Sequence, residues 1–231
     1  MFLSNENKLK WKLMGVAAAV VLVLVIAGIF WIDAPLYLFL RRFDCNLWTY
    51  VAHVFEAKVW LLASAALVVA FYVKKAIALR PVFRNARGKI SPVAFVADGL
   101  RRVRGSYAFH VFCAVFMASL VALGLKFIIG RGRPIFFEAL DLSVFFVPFS
   151  TEWAFHSMPS GHAVATFAGL VMLGMLAPKI KPFTWTLAVV VGVSRVCVGA
   201  HWPSDVLLGA FIGMVAADIV KWFLKSRQVQ K

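Results

Sequence analysis

Six stretches of this chain are too apolar for too long to be left in water, and that one feature excludes more folds than any other. They run Leu13 to Ile32, Trp60 to Val73, Ser106 to Ile129, Pro159 to Ala177, Phe183 to Ala200 and Val206 to Leu224. About 20 residues of helix cross the hydrocarbon core of a bilayer. Inside hydrocarbon only helices and closed barrels satisfy every backbone group, and these runs are continuous rather than alternating. The expected fold is therefore all-α: a polytopic integral membrane protein with six transmembrane helices in one bundle. The second run is short and is expected to begin upstream, near Val51, with Glu56 and Lys58 close to an interface. The first is long and lacks a small-residue cleavage site, which marks a retained helix rather than a signal peptide. Composition agrees, since 62% of the residues are hydrophobic, against about half in a soluble domain.

Orientation follows from the basic residues, which collect in cytoplasmic loops. With the N-terminus inside, Lys8, Lys10 and Lys12 lie in the cytoplasm, as do the basic residues from Lys74 to Arg104 and those from Lys179 onward, apart from Arg195. Both termini are thus expected to be cytoplasmic. A net charge of +15 could suggest nucleic acid, but here it reads as topology charge with affinity for anionic lipid heads, so no nucleic-acid partner is expected. Cys45, Cys113 and Cys197 have no metal-type spacing. Cys113 is expected to be a small apolar side chain within a helix, and no pairing is assigned to Cys45 and Cys197.

No repeat or low-complexity tract divides the chain, which reads as one membrane-embedded domain over 1–231. The basic segment from Lys74 to Gly105 is broken by Pro81, Gly88, Pro92 and Gly99 and is expected to hold an interfacial amphipathic piece over Val93 to Val103. The outer loop from Gly130 to Met158 mixes seven aromatic rings with Glu138, Asp141 and Glu152, a pattern that fits a lid or short helix at headgroup depth, or plain aromatic anchoring.

Ionisable residues near membrane depth are expensive, so their positions carry information. Three clusters stand out: "KFIIGRGRP" with Lys126 and Arg133, "PSGH" with Pro159, Ser160, Gly161 and His162, and "SRVCVGAHWPSD" with Ser194, Arg195, His201 and Asp205. A topology drawn from hydropathy and the basic loops, without these motifs, puts all three on the outer face. A helix start offers free N–H groups and partial positive charge to an anion, and Gly161 lets a ligand approach the backbone. Lys126, Arg133 and Arg195 can surround a tetrahedral oxyanion, with Ser160 adding a hydroxyl. Asp205 lies four residues after His201, a spacing that suits acceptance of the Nδ1 proton and leaves Nε2 free as a nucleophile. His162 could then protonate a leaving oxygen and later activate water. No metal is expected, because three cations would repel a divalent ion.

These motifs, at these spacings, resemble the three-part signature of the type 2 phosphatidic acid phosphatase superfamily, with the signature region spanning 105–224. The resemblance implies His201 as the nucleophile that forms a phosphohistidine, Asp205 as its orienting carboxylate and His162 as the general acid. It further implies that Lys126, Arg133, Ser160, Gly161 and Arg195 hold the phosphate, with no cofactor. The expected activity is removal of phosphate from a lipid headgroup: undecaprenyl diphosphate, phosphatidylglycerol phosphate, phosphatidic acid or a lipid A phosphate. Partners are then the lipid substrate and the bilayer, and the expected location is a bacterial inner membrane with the site facing the periplasm. A lipid phosphotransferase would use the same phosphohistidine. A vanadate-dependent haloperoxidase, whose pocket is similar, is disfavoured by the six apolar runs. A non-enzymatic lipid binder is disfavoured by the presence of His162, His201 and Asp205 together.

Overall fold

Each apolar run forms a helix, and several helix ends fall where Pro or Gly stands or, at Ser106, where a hydroxyl caps the helix. The computed structural model describes residues 1–4, 6, 8–79 and 103–229. These residues form α1 (Trp11–Ala27), α2 (Asp33–Arg41), α3 (Asn46–Val54), α4 (Ala57–Leu79), α5 (Tyr107–Ile129), α6 (Ile135–Leu140), α7 (Gly161–Leu176), α8 (Lys181–Cys197) and α9 (Pro203–Val229). The architecture is all-helical, 78% helix, with no strand among the described residues. Among the described residues, five helices are long and apolar enough to cross a bilayer: Trp11–Arg41, Ala57–Lys74, Tyr107–Ile129, Pro178–Cys197 and Pro203–Lys225. The chain is an integral membrane protein.

Helix α7 is shorter than the apolar run expected to span over Pro159 to Ala177. It has 16 residues, about 24 Å at 1.5 Å per residue, and every residue from Ala163 to Met172 is buried. Helices α4, α5, α8 and α9 pack around it. The closest approach is by α9, where Gly209 and Gly213 stand one turn apart. A Cβ at Gly209 would lie 2.8 Å from the Ser160 carbonyl oxygen, and one at Gly213 would lie 2.6 Å from that of Val164. Only glycine allows backbones this near, the small-residue packing common between membrane helices.

Two expected boundaries shift. The first helix continues past Ile32 to Arg41, through a single π turn over Gly28–Ile32. Pro35 cannot donate to the carbonyl one turn earlier, and the ladder widens just upstream of it. The second run does not extend back to Val51. Residues 46–54 form the separate helix α3, and the break at Phe55 has a tertiary cause. Its ring packs on Trp60 with centroids 6.1 Å apart, while its carbonyl accepts from Thr166 Oγ1 at 3.5 Å. The piece expected over 93–103 lies, except for its last residue, outside the described residues. In the loop over 130–158, α6 is the short helix, and the rings of Phe136 and Phe155 stack at 5.2 Å with Phe145 edge-on to both. All three cysteines are free thiols.

Helices α1 and α9 run antiparallel. Trp11 meets Trp222 at one end, where the Met1 ammonium and the Phe2 N–H also bond Asp218. At the other end Asp33 meets Ser204. Both ends of the described chain therefore sit opposite the end that gathers the polar clusters.

Candidate active site

Four helix ends converge on one polar layer. Lys126 lies in the last turn of α5, where the helix dipole favours a cation. Ser160 is the N-cap residue of α7, followed by Gly161 and His162 in the first turn. Arg195 lies in the last turn of α8, and Asp205 in the first turn of α9. Backbone bonds join these ends: Ser160 N–H donates to the Asp205 carbonyl at 3.0 Å, and His201 N–H to that of Arg195 at 3.3 Å.

The cations expected to hold an anion rest on neutral acceptors. Lys126 Nζ donates to the His156 carbonyl at 2.6 Å, and Arg133 donates to the carbonyls of Ala200 at 2.9 Å and Trp153 at 3.2 Å. The Arg133 guanidinium also lies 4.0 Å from the centroid of the Trp153 ring. Burial pushes this guanidinium down to about 10, and the Arg195 charge adds to that against the pull of Asp205. It remains protonated at neutral pH. Among the described residues, Lys126, Arg133 and Arg195 have no carboxylate within ion-pair distance. Two buried donors beside them, Ser160 Oγ and Arg195 Nε, have no hydrogen-bond partner among the described residues. Nor does the Ser160 hydroxyl cap its own helix, which leaves the first N–H groups of α7 without a side-chain partner. A buried polar group without a partner is costly, and this concentration of donors is chemically suited to an oxyanion.

His201 and Asp205 are both buried, but the bond expected from their spacing is not made. His201 Nδ1 lies 3.7 Å from Asp205 Oδ2, beyond hydrogen-bond range. The reason is local: α9 begins at Pro203, so His201 stands in the preceding turn and does not share a helical face with Asp205. The carboxylate instead reaches back to accept the Trp202 N–H at 2.9 Å, a helix-capping contact. Ser157 fills the gap, donating to Asp205 Oδ2 at 2.5 Å with its Oγ 3.5 Å from His201 Nδ1. Burial holds the His201 imidazole well below its ordinary value of 6.5, with Arg133 and Lys126 adding to the effect and Asp205 opposing it.

Sequence reasoning missed several members of this layer. Arg131, completely buried, pairs with Asp205 at 2.8 Å and with Asp33 at 2.7 Å. Trp202 lies 5.3 Å from that guanidinium and donates its indole N–H to the Gly132 carbonyl at 3.0 Å. Glu56 carries part of the field at His162 and Arg195. Asp33 had one visible signal, a carboxylate abutting an apolar run. Among the described residues no group of three or more His, Cys, Asp or Glu could hold a metal ion.

Comparison with known sequences identifies the family. The sequence model of the PAP2 superfamily matches residues 107–228, more than half of the chain. The chain belongs to the PAP2 superfamily. Among its relatives, the lipid A 1-phosphatase of Rhizobium etli is 40% identical over 105 residues, covering 45% of this chain and 44% of that protein. The undecaprenyl-diphosphatase of Sulfolobus acidocaldarius is 36% identical over 92 residues, covering 38% of this chain and 41% of that protein. The matches thus span less than half the length of these curated relatives. The solved structure of Aquifex aeolicus LpxE aligns with 83% of this chain and 96% of its own at 20% identity, with a TM-score of 0.48. All of the candidate residues from Lys126 to Asp205 lie within the PAP2 match, and Asp33 and Glu56 lie outside it.

Proposed function

We propose that this protein is a membrane lipid phosphatase that removes phosphate from a lipid headgroup at the outer face of the membrane. The observation that carries the reading is the set of cations without carboxylate partners among the described residues, buried Arg133 and Arg195 and half-buried Lys126, together with the unpartnered Ser160 Oγ and Arg195 Nε, around His201. Lys126, Arg133, Arg195, Ser160 and the backbone at Gly161 receive the phosphate and stabilise the charge of its pentacoordinate transition state. His201 Nε2 attacks phosphorus and the bond to the lipid oxygen breaks, while His162 gives that oxygen its proton. His162 then takes a proton from water, which attacks the phosphohistidine and releases inorganic phosphate. Asp205 orients His201 and offsets its developing charge, and no metal takes part.

In the bilayer, α7 completes a set of six crossings as the enclosed member, the whole chain acts as one domain, and both termini face the cytoplasm, where the basic residues concentrate. The site then faces outward, into the periplasm in a bacterial inner membrane. Relatives named for lipid A 1-phosphate and for undecaprenyl diphosphate favour a substrate whose phosphate sits on a large lipid over phosphatidic acid.

Purified protein in detergent micelles with EDTA, given lipid A, undecaprenyl diphosphate, phosphatidylglycerol phosphate and phosphatidic acid in turn, tests this directly. Phosphate release should survive chelation, and His201→Ala should lose at least about 10⁴-fold of it while remaining folded. Turnover by that variant would remove the nucleophile, and loss on chelation would remove the metal-free mechanism. Appearance of phosphorylated acceptor lipid in place of free phosphate would convert the reading to phosphotransfer.

A further inference from the structure

A heavily bonded carboxylate at the outer end comes from outside the PAP2 match. Asp33, at the start of α2, is 1% exposed. Its Oδ1 accepts the Ser204 N–H at 2.9 Å, and its Oδ2 accepts from Ser204 Oγ at 2.5 Å and Arg131 Nη2 at 2.7 Å. Arg131 Nη1 donates in turn to Ser204 Oγ at 2.7 Å and to Asp205 Oδ1 at 2.8 Å. One guanidinium is therefore shared between two carboxylates, and the second of them stands behind His201. The first helix is shaped to make this contact. Its π turn falls at Gly28–Ile32, just before Asp33, and a Cβ at Gly28 would lie 2.8 Å from the Ser204 Cβ. π turns within α-helices occur frequently at functional sites.

We propose that Asp33 is a positioning residue of this site: it fixes Arg131 and the first turn of α9, and through them sets the place and charge of Asp205 behind His201. The inference rests on the reading of His201 as nucleophile. Without Asp33, Arg131 would be drawn wholly onto Asp205, and Ser204 would lose both of its anchors on the first helix. Asp205 would then offer less negative charge to His201, and the first turn of α9 would be freer to move. The charged groups that face His201 are Asp205, Arg133 and Lys126, with the Ser157 hydroxyl between Asp205 and the ring.

The test uses the full chain in detergent micelles with EDTA, comparing wild type with Asp33→Asn, Asp33→Glu, Ser204→Ala and His201→Ala. It reads kcat, KM and the pH profile of kcat/KM per folded molecule. Asp33→Asn keeps an acceptor for the Ser204 N–H and loses the charge. It should lower kcat about 10- to 100-fold, the loss usual when a partner that orients a reacting group is removed. KM should stay near the wild-type value, because the phosphate cradle is untouched. The acid limb should move down, because less negative charge behind the ring disfavours protonated His201. Asp33→Glu should recover part of kcat.

A folded Asp33→Asn with wild-type kcat, or one with a lower yield of active protein but an unmoved limb, overturns the inference. Should Asp33→Asn fail to fold, Ser204→Ala decides. It removes only the hydroxyl shared by Asp33 and Arg131, so reduced kcat at unchanged KM supports the proposal and wild-type kinetics overturns it. If His201→Ala retains turnover, the nucleophile assignment fails and this inference falls with it. If His201→Ala is inactive and Asp33→Asn is indistinguishable from wild type, only the present inference fails.

Discussion

Arg131 and Arg133 stand two residues apart on one short loop, and the two sides of the candidate site use them in opposite ways. On the α1 side, Arg131 is completely buried between Asp33 and Asp205, with Ser204 bonded to the same guanidinium. On the α5 side, Arg133 meets only carbonyls and the face of Trp153, and its neighbours Lys126 and Arg195 also lack carboxylates among the described residues. A buried cation already neutralised by two anions has little attraction left for a third, so it serves as framework. A buried cation resting on neutral dipoles retains nearly its whole charge for an incoming anion. Position in the sequence does not separate the two roles, but the identity of the partner does.

The largest expected effects come from exchanging these roles. Arg131→Ala leaves Asp33 and Asp205 buried without their cation and should cost about 3–5 kcal/mol of stability, read as a shifted unfolding midpoint in detergent. Arg133→Ala should leave that midpoint nearly in place and instead lose about 10²- to 10³-fold in kcat, the usual effect of deleting a transition-state donor. Equal loss of stability in both variants would erase the distinction between the two sides.

His201 sits where the two sides meet, and pH probes it with a smaller effect. Its folded-state value is depressed, so as pH falls through 6.5 the unfolded chain takes up a proton that the folded chain still refuses. The stability it contributes is complete above 6.5 and declines as pH drops toward the folded value. The unfolding midpoint should therefore fall between roughly pH 7 and pH 5, and less steeply in His201→Ala. By the same sign, the acid limb of kcat/KM assigned to His201 should lie below 6.5. A limb above 6.5 would mean that the ring gains more from Asp205 than it loses to burial and to the cations.

The gathering of the candidate anion-binding residues was legible in the sequence because they lie in short contiguous motifs at helix ends, where hydropathy and the basic loops together place them. Lys126, Ser160, His162, Arg195 and His201 each needed only a helix boundary to be correct within a turn. The framework side was hidden. Asp33 and Arg131 are 98 positions apart, and the first helix was expected to stop at Ile32, one residue short of the carboxylate. Partner choice between distant charges is set by which helices pack together, and no local periodicity encodes it. The four-residue spacing of His201 and Asp205 misled for a related reason. It assumed that the helix included both residues, whereas Pro203 opens α9 between them and Asp205 turns back to cap Trp202. The break at Phe55 likewise carries no Pro or Gly signal; what marks it in the fold is contact with Trp60 and Thr166.

The smallest expected effects test whether the first helix is seated against the site at all. Gly15 and Gly28 lie on the same continuous span, Trp11–Arg41. A Cβ at Gly15 would meet nothing within 4 Å, whereas one at Gly28 would lie 2.8 Å from the Ser204 Cβ. Gly15→Ala should therefore gain about 0.5–1 kcal/mol from the helical preference of alanine. Gly28→Ala should cost about 1–3 kcal/mol, because a methyl group is forced into a packed contact. It should also lower kcat, since the atoms it displaces belong to the residue through which Asp33 reaches the first turn of α9. If both alanines are accepted equally in unfolding midpoint and in kcat, the first helix does not press on Ser204, and Arg131 would have to be held by Asp205 alone.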